Sequence, residues 1–250
     1  MNKTFIWGHR GMGFGDTQNT MRSFQRAIDM GCDGIKTEAQ LLKDGNIVLS
    51  FNDKFKLNGK EVSVSELNLE QIKAIKIEND QSIPNLRELF EQFKKHDIKY
   101  NFDIRHPDIG VRIIEIAKEY NLTSQIEIAK PSIYQNSLPT IFSKIREFDK
   151  EITLINSVSL KVSDIQPKDL ELQYMKDLNV QVINVNYHFA NMDLFKTIVE
   201  NGFKFYIWGV LFKRDMIKFL KMHYKKRNID GMYSNFPIRL LHLRDRIQNN

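Results

Sequence analysis

Eight short apolar runs alternate with longer amphipathic segments along the chain, and this alternation restricts the fold more than any other feature. The runs are Thr4–Gly8, Gly34–Leu41, Tyr100–Ile104, Gln125–Ala129, Ile152–Ile155, Val180–Val185, Phe203–Ile207 and Ile229–Tyr233. All are short, rich in β-branched and aromatic residues, and read as strands. Helical spacing of apolar residues follows each of them. These segments are Met21–Met30, Pro84–Lys95, Gly110–Tyr120, Ser132–Phe148, Pro167–Asp177, Met192–Glu200, Arg214–Tyr224 and Pro237–Ile247. Asn19 or Thr20 caps the first helix, and Pro84 suits the first turn of the second. Parallel strands need a crossover between them, so a strand–helix alternation implies a parallel sheet. Eight such units in 250 residues predict an α/β protein built as a (β/α)8 TIM barrel, one domain over residues 1–250. The competing architecture is an open, doubly wound sheet. It would more often carry a G-x-G-x-x-G loop after the first strand, and Gly11-Met12-Gly13-Phe14-Gly15 lacks that spacing. A ninth apolar run, Ile47–Phe51, follows the turn pair Asp44-Gly45 and reads as a hairpin strand.

Composition narrows the setting. Hydrophobic residues make up 42% of the chain and charged residues 27%, as in ordinary globular proteins. No apolar stretch approaches the ~18 residues of a spanning helix. The run Phe5-Ile6-Trp7 is too short for the core of a signal peptide. Cys32 is the sole cysteine, so no intrachain disulfide forms, which suits a reducing cytoplasm; its place just before the second strand reads as core. The net charge of +6 favours anionic ligands. The densest basic run, Lys225-Lys226-Arg227 with Lys221 before it, reads as a solvated helix end. It belongs to no recognised module, which argues against nucleic acid as a partner.

In a barrel of this kind the active residues sit at the C-terminal ends of the strands. His9-Arg10 follows the first strand, Lys36 and Glu38 lie on the second, and Asp103 and Arg105 close the third. Lys130 follows the fourth strand, Trp208 the seventh, and Ser234-Asn235 the eighth. Side chains alternate along a strand, so Lys36 and Glu38 share one face, as do Asn101, Asp103 and Arg105. His106, Tyr187 and His188 lie in loops at the same end.

Six segments in order resemble the glycerophosphodiester phosphodiesterase family. They are His9-Arg10-Gly11; Thr17-Gln18-Asn19-Thr20; the stretch from Gly31 to Asn52; Asn101-Phe102-Asp103-Ile104-Arg105; Tyr206-Ile207-Trp208; and the closing run from Ile229 to Pro237. The resemblance covers nearly the whole chain. It implies a barrel of the phospholipase-C-like phosphodiesterase type, and a metal-dependent hydrolase in lipid metabolism that cleaves glycerol phosphodiesters. In the family, two histidines serve as acid and base. Two glutamates and an aspartate hold a divalent cation such as Mg²⁺ or Ca²⁺, and an arginine and a lysine hold phosphate.

The carry-over is uneven. His9 and Arg10 match, and Arg105 stands for the family lysine. Lys36 replaces the first glutamate ligand, while Glu38 and Asp103 remain as metal candidates. The second histidine falls on Phe51 and its aspartate on Asn52; sliding by one residue gives Asn52-Asp53, again without a histidine. An ammonium beside two carboxylates should repel a divalent ion, so metal binding is expected to be weakened or absent. Glu38 and Asp103 oppose Arg10, Lys36 and Arg105, a net charge of +1, which equals that of the family site with its ion bound. Lys36 can also be read as a base, since burial lowers a lysine pKa. These residues predict a phosphodiesterase with a degenerate site. His9, Arg10 and Lys36 are its catalytic candidates, and Arg10, Arg105, Lys130 and Trp208 its substrate contacts. The alternative is an inactive member that binds a phosphate-bearing ligand.

Overall fold

The computed structural model describes residues 1–57, 59–131, 138–158 and 167–249. Eight parallel strands form a ring: β1 (Phe5–His9), β2 (Gly34–Leu41), β3 (Lys99–Asp103), β4 (Ile126–Lys130), β5 (Thr153–Ser157), β6 (Val182–Asn186), β7 (Lys204–Trp208) and β8 (Gly231–Ser234). Each pairs with its successor, and β8 pairs back onto β1, so the barrel closes and leaves no edge. The helices are α1 (Met21–Asp29), α2 (Leu86–Phe93), α3 (Pro107–Glu119), α4 (Leu138–Phe148), α5 (Leu172–Asp177), α6 (Met192–Glu200), α7 (Lys213–Leu220) and α8 (Pro237–Gln248). The TIM barrel expected from the alternation is the observed fold.

The differences are local. Residues 132–137 of the fourth predicted helix lie outside the described residues. The fifth helix is broken: a 3-10 turn over Pro167–Leu170 is separated from α5 by Glu171, whose φ is 51°. The seventh stops at Leu220, so the basic run is not a helix end. His223–Tyr224 and Arg227–Asn228 instead pair as a small antiparallel ribbon, turned by Lys225 and Lys226 at φ 47° and 60°. Two consecutive positive φ angles usually call for Asn or Gly, so lysines there give no turn signal. Glu200 and Asp230 take up Lys225 and Arg227 in ion pairs.

An insertion between β2 and α2 reaches over the C-terminal end of the barrel. Ile47–Leu49 pairs antiparallel with β2, shorter than the predicted run, and Lys54–Leu57 pairs with Lys60–Ser63. The insertion has its own apolar core of Leu42, Val48, Phe55, Val64, Leu67, Ile72 and Ile83. This core anchors the stretch that carries Phe51 and Asp53.

One core fills the barrel and a larger one surrounds it. Trp7, Ala129, Ile155, Val182, Tyr206 and Tyr233 pack inside it, with Trp7 and Tyr233 stacked at 5.6 Å. Glu127 is buried among them. It accepts from Lys99 Nζ at 3.2 Å and from the Tyr206 hydroxyl at 3.2 Å, so the charge is paired and hydrogen-bonded. The larger core lies between strands and helices, where Phe24, Phe90, Phe93, Phe102, Phe142 and Phe195 are fully buried. Each contributes roughly 1.5–3 kcal/mol of burial.

Candidate active site

Strand register builds the site. His9 sits beside Lys36, Lys36 beside Asn101, and Glu38 beside Asp103. Because side chains alternate, Lys36, Glu38 and Asp103 all point into the barrel mouth. Lys36 Nζ donates to Glu38 Oε1 at 2.9 Å and to Asp103 Oδ2 at 2.5 Å. Arg10 Nε donates to the same Glu38 oxygen at 2.9 Å, and Asn19 Nδ2 to Glu38 Oε2 at 2.9 Å. Thr37 Oγ1 donates to Asn19 Oδ1 at 2.8 Å and holds that amide in place. Arg10 and Asn19 reach Glu38 because both take left-handed backbone, φ 54° and 53°, an uncommon state for residues with a side chain. Thr20, not Asn19, caps α1, which leaves the Asn19 side chain for the site.

His9 Nδ1–H donates to Asn235 Oδ1 from the loop after β8. That loop packs on the β1 loop so closely that a Cβ on Gly13, at φ 60°, would lie 2.4 Å from Asn235 Cα. Burial, with the nearby Lys36 ammonium adding to it, pushes the His9 imidazolium pKa down to about 4. The ring is therefore neutral near pH 7. With the proton on Nδ1, Nε2 carries the free lone pair.

The three charges beneath it settle one another. Burial works against the Lys36 ammonium, but Asp103 and Glu38 outweigh it and raise its pKa. Two carboxylates at hydrogen-bond distance favour the protonated ammonium, which speaks against Lys36 as a base. Burial also opposes the Glu38 carboxylate, yet Lys36 and Arg10 hold it far below the usual range. Asp103 is pushed up by burial and drawn back by Lys36.

A cleft of about 240 Å³ opens over this cluster. His9, Arg10, Lys36, Glu38, Asp103 and Arg105 line one side, and Trp208, Asn184 and Tyr233 another. Phe51 forms part of the rim, 46% exposed, with Arg10 Cζ 4.3 Å from its ring centroid. Arg105 donates to Asp53 Oδ2 at 2.7 Å and to the Phe51 carbonyl at 3.1 Å, so the insertion engages the phosphate-binding candidate. Lys130 is placed differently from the other candidates. Glu127 and Ala129 face the barrel interior, so Lys130 belongs to the opposite face of β4, and its neighbour Pro131 lines the cleft instead. Burial lowers the Lys130 pKa, with Glu171 opposing. His106 caps α3 with its ring, accepting from the Asp108 amide at 3.3 Å. His188 lies against the Tyr187 ring at 4.0 Å, and neither it nor His106 is among the described residues that line the cleft.

Sequence reasoning placed Asn235 at the active end of the barrel, Asp53 in the shifted register of the second-histidine segment and Asn19 in the second motif, but gave none of them a role in the site.

A match to the glycerophosphoryl diester phosphodiesterase family runs over residues 9–239. The chain belongs to this family. A glycerophosphodiester phosphodiesterase of Caldanaerobacter subterraneus subsp. tengcongensis is 27% identical over 256 residues, covering 96% of this chain and 98% of its own. Among solved structures, an Oleispira antarctica phosphodiesterase in complex with the product sn-glycerol-3-phosphate superposes with a TM-score of 0.80 at 15% identity, over 97% of both chains. A Thermotoga maritima glycerophosphodiester phosphodiesterase superposes with a TM-score of 0.75 at 19% identity, over 97% of this chain and 98% of its own. At such identities the superpositions speak for fold alone.

The family's divalent ion can be tested against the donors present. Hard cations take several oxygen ligands, carboxylates foremost. Among the described residues no group of three His, Cys, Asp or Glu side chains gathers to hold one. Glu38 already accepts three hydrogen bonds and Asp103 one, and the ammonium of Lys36 lies between them. This donor set does not fit a divalent ion.

Proposed function

We propose that this protein is a phosphoric diester hydrolase acting on a glycerophosphodiester or a related small phosphodiester. The observation that carries the reading is a neutral His9, its Nε2 free, set in a cleft whose adjacent cations are Arg10 and Lys36. An anionic diester is drawn to those cations and to Arg105. The Trp208 ring offers a wall for the glycerol end. A cytoplasmic location and one domain over residues 1–250 belong to the same reading; the lone cysteine, buried, supports the former.

In the reaction His9 Nε2 takes the proton of the attacking hydroxyl, from water or from the substrate's own glycerol. That oxygen bonds to phosphorus, the leaving oxygen departs as an alkoxide that takes a proton from solvent, and His9 returns its proton to solvent. Arg10, Lys36 and Arg105 stabilise the charge that builds on the phosphoryl oxygens. Phe51 stands where the family places its second histidine and cannot give a proton to the leaving oxygen. A positioned general acid is worth roughly 10²–10⁴ in rate, so turnover is slow for the family.

The deciding experiment measures turnover of a glycerophosphodiester panel by the wild type and H9A. Release of glycerol 3-phosphate or a cyclic product, lost at least ~100-fold in H9A, supports hydrolysis by this base. A wild type that binds glycerol 3-phosphate yet turns over no diester would make the protein an anion-binding member instead.

A further inference from the structure

We propose that the Lys36 ammonium is the permanent cation of this site, standing where the family's divalent ion is held, so that the cleft binds its phosphate-bearing ligand without metal. Three observations on different atoms converge on it. First, Lys36 occupies the β2 position at which the resemblance places a ligand glutamate, and its Nζ bridges the two carboxylates that remain, at 2.9 Å and 2.5 Å. An ion shared by Glu38 and Asp103 would need oxygen contacts at about 2.0–2.6 Å. The volume between those carboxylates is filled by the ammonium.

Second, three of the roughly four acceptor positions of the Glu38 carboxylate are taken. Its Oε1 accepts from both Lys36 and Arg10, and its Oε2 from Asn19. An ion bound through both Glu38 oxygens would compete with the contacts that orient Arg10 and Asn19, both held on strained backbone for that purpose.

Third, the charge is conserved. Exchanging a glutamate for a lysine raises the local charge by the two units that a divalent ion brings. The field at a phosphate in the cleft is therefore kept while the ion is dispensed with. An ammonium has three donors, and two go to Glu38 and Asp103. The third is available to a phosphoryl oxygen, since Lys36 lines the cleft. What the ammonium cannot do is bind a hydroxyl and acidify it as a metal does. The burden of activating the nucleophile thus falls on His9 alone.

The inference concerns the cleft of the proposed hydrolysis, but its test reads binding rather than turnover, so either reading can fail alone. Wild-type protein and K36E are titrated calorimetrically with Mg²⁺, Ca²⁺ and Mn²⁺, and with glycerol 3-phosphate in EDTA. The wild type is expected to bind no divalent ion in the micromolar range and to bind glycerol 3-phosphate equally with and without EDTA. K36E restores three carboxylates and is expected to gain saturable binding of one ion. Its affinity for glycerol 3-phosphate should fall at least tenfold in EDTA and recover when the ion is supplied. A K36E chain that unfolds in EDTA and refolds with Ca²⁺ also supports the assignment. Micromolar ion binding by the wild type that D103N abolishes overturns it, as does a folded K36E that binds no ion. K36Q, which adds no repulsion, is the second variant. Unchanged glycerol 3-phosphate affinity in K36Q would show that the ammonium holds no anion and would likewise overturn the proposal.

Discussion

Arg10 holds its guanidinium 4.3 Å from the centre of the Phe51 ring while donating through Nε to Glu38 at 2.9 Å. The phosphate-binding candidate is thereby clamped between a β2 carboxylate and a residue of the insertion. Phe51 supplies a face for the cation but no proton for the leaving group. Without a general acid, turnover should depend steeply on how good the leaving group is. Aryl diesters such as bis(p-nitrophenyl) phosphate should be cleaved far faster than glycerophosphodiesters with alkyl alcohols. F51H should raise the alkyl rates by roughly 10²-fold and narrow that gap. Equal gains on both substrate classes would mean that the new imidazole does not protonate the leaving oxygen.

His9 and Asn235 define the pH profile. The free enzyme loses its base only when His9 is protonated, so kcat/KM should hold its value down to about pH 4 and fall below it. A bound diester brings negative charge beside the ring and offsets Lys36, so the acid limb of kcat should lie at higher pH than that of kcat/KM. N235A removes the acceptor that holds the proton on Nδ1. It should lower kcat at least tenfold with little change in KM, because ring orientation matters in the transition state and not in binding. Stopped-flow or steady-state profiles of both proteins from pH 3 to 9 check the two limbs.

Much of this site is legible from strand parity alone. Alternation along β2 and β3 puts Lys36, Glu38 and Asp103 on one face without any tertiary knowledge. The same rule, applied to β4, would have turned Lys130 away from the mouth, since Glu127 and Ala129 claim the inward positions. What parity cannot supply is loop closure. His9 and Asn235 are 226 residues apart in the chain and meet only because β8 returns to β1. Asn19 reaches Glu38 through a left-handed backbone that no side-chain pattern announces. Arg105 finds Asp53 because the insertion's small core carries that residue over the barrel mouth.

The charge node should be visible in stability as well as in binding. Glu38 is buried and joins Lys36, Arg10 and Asn19, so E38Q removes the charge at the centre. Asp103 still holds Lys36. The cost should therefore sit at the lower end of the range for a broken buried pair, about 3 kcal/mol. The Glu38 carboxylate is held below its ordinary value of 4.5, so its contribution is complete above that pH and is lost as pH falls further. Urea midpoints of wild type and E38Q should differ most near pH 7 and converge toward pH 3. A gap that stays constant with pH would show that the loss is one of packing and not of charge.

Gly13 offers a way to move His9 without touching it. An alanine there would force the Asn235 backbone to shift, since the new Cβ would meet its Cα at 2.4 Å, and the positive φ adds strain of its own. The β1 and β8 loops would part, and Nδ1 would lose its acceptor while Nε2 kept its place near the cleft. G13A should thus lower kcat much as N235A does. It should also cost stability that N235A does not, because the loops pack through backbone at this point. Combining the two changes separates the routes: if G13A acts through the Asn235 contact, the double variant has the kcat of N235A alone. If the losses multiply, the β1 loop positions a second group in the cleft, and Arg10, three residues before Gly13 and itself on left-handed backbone, is the group it would displace.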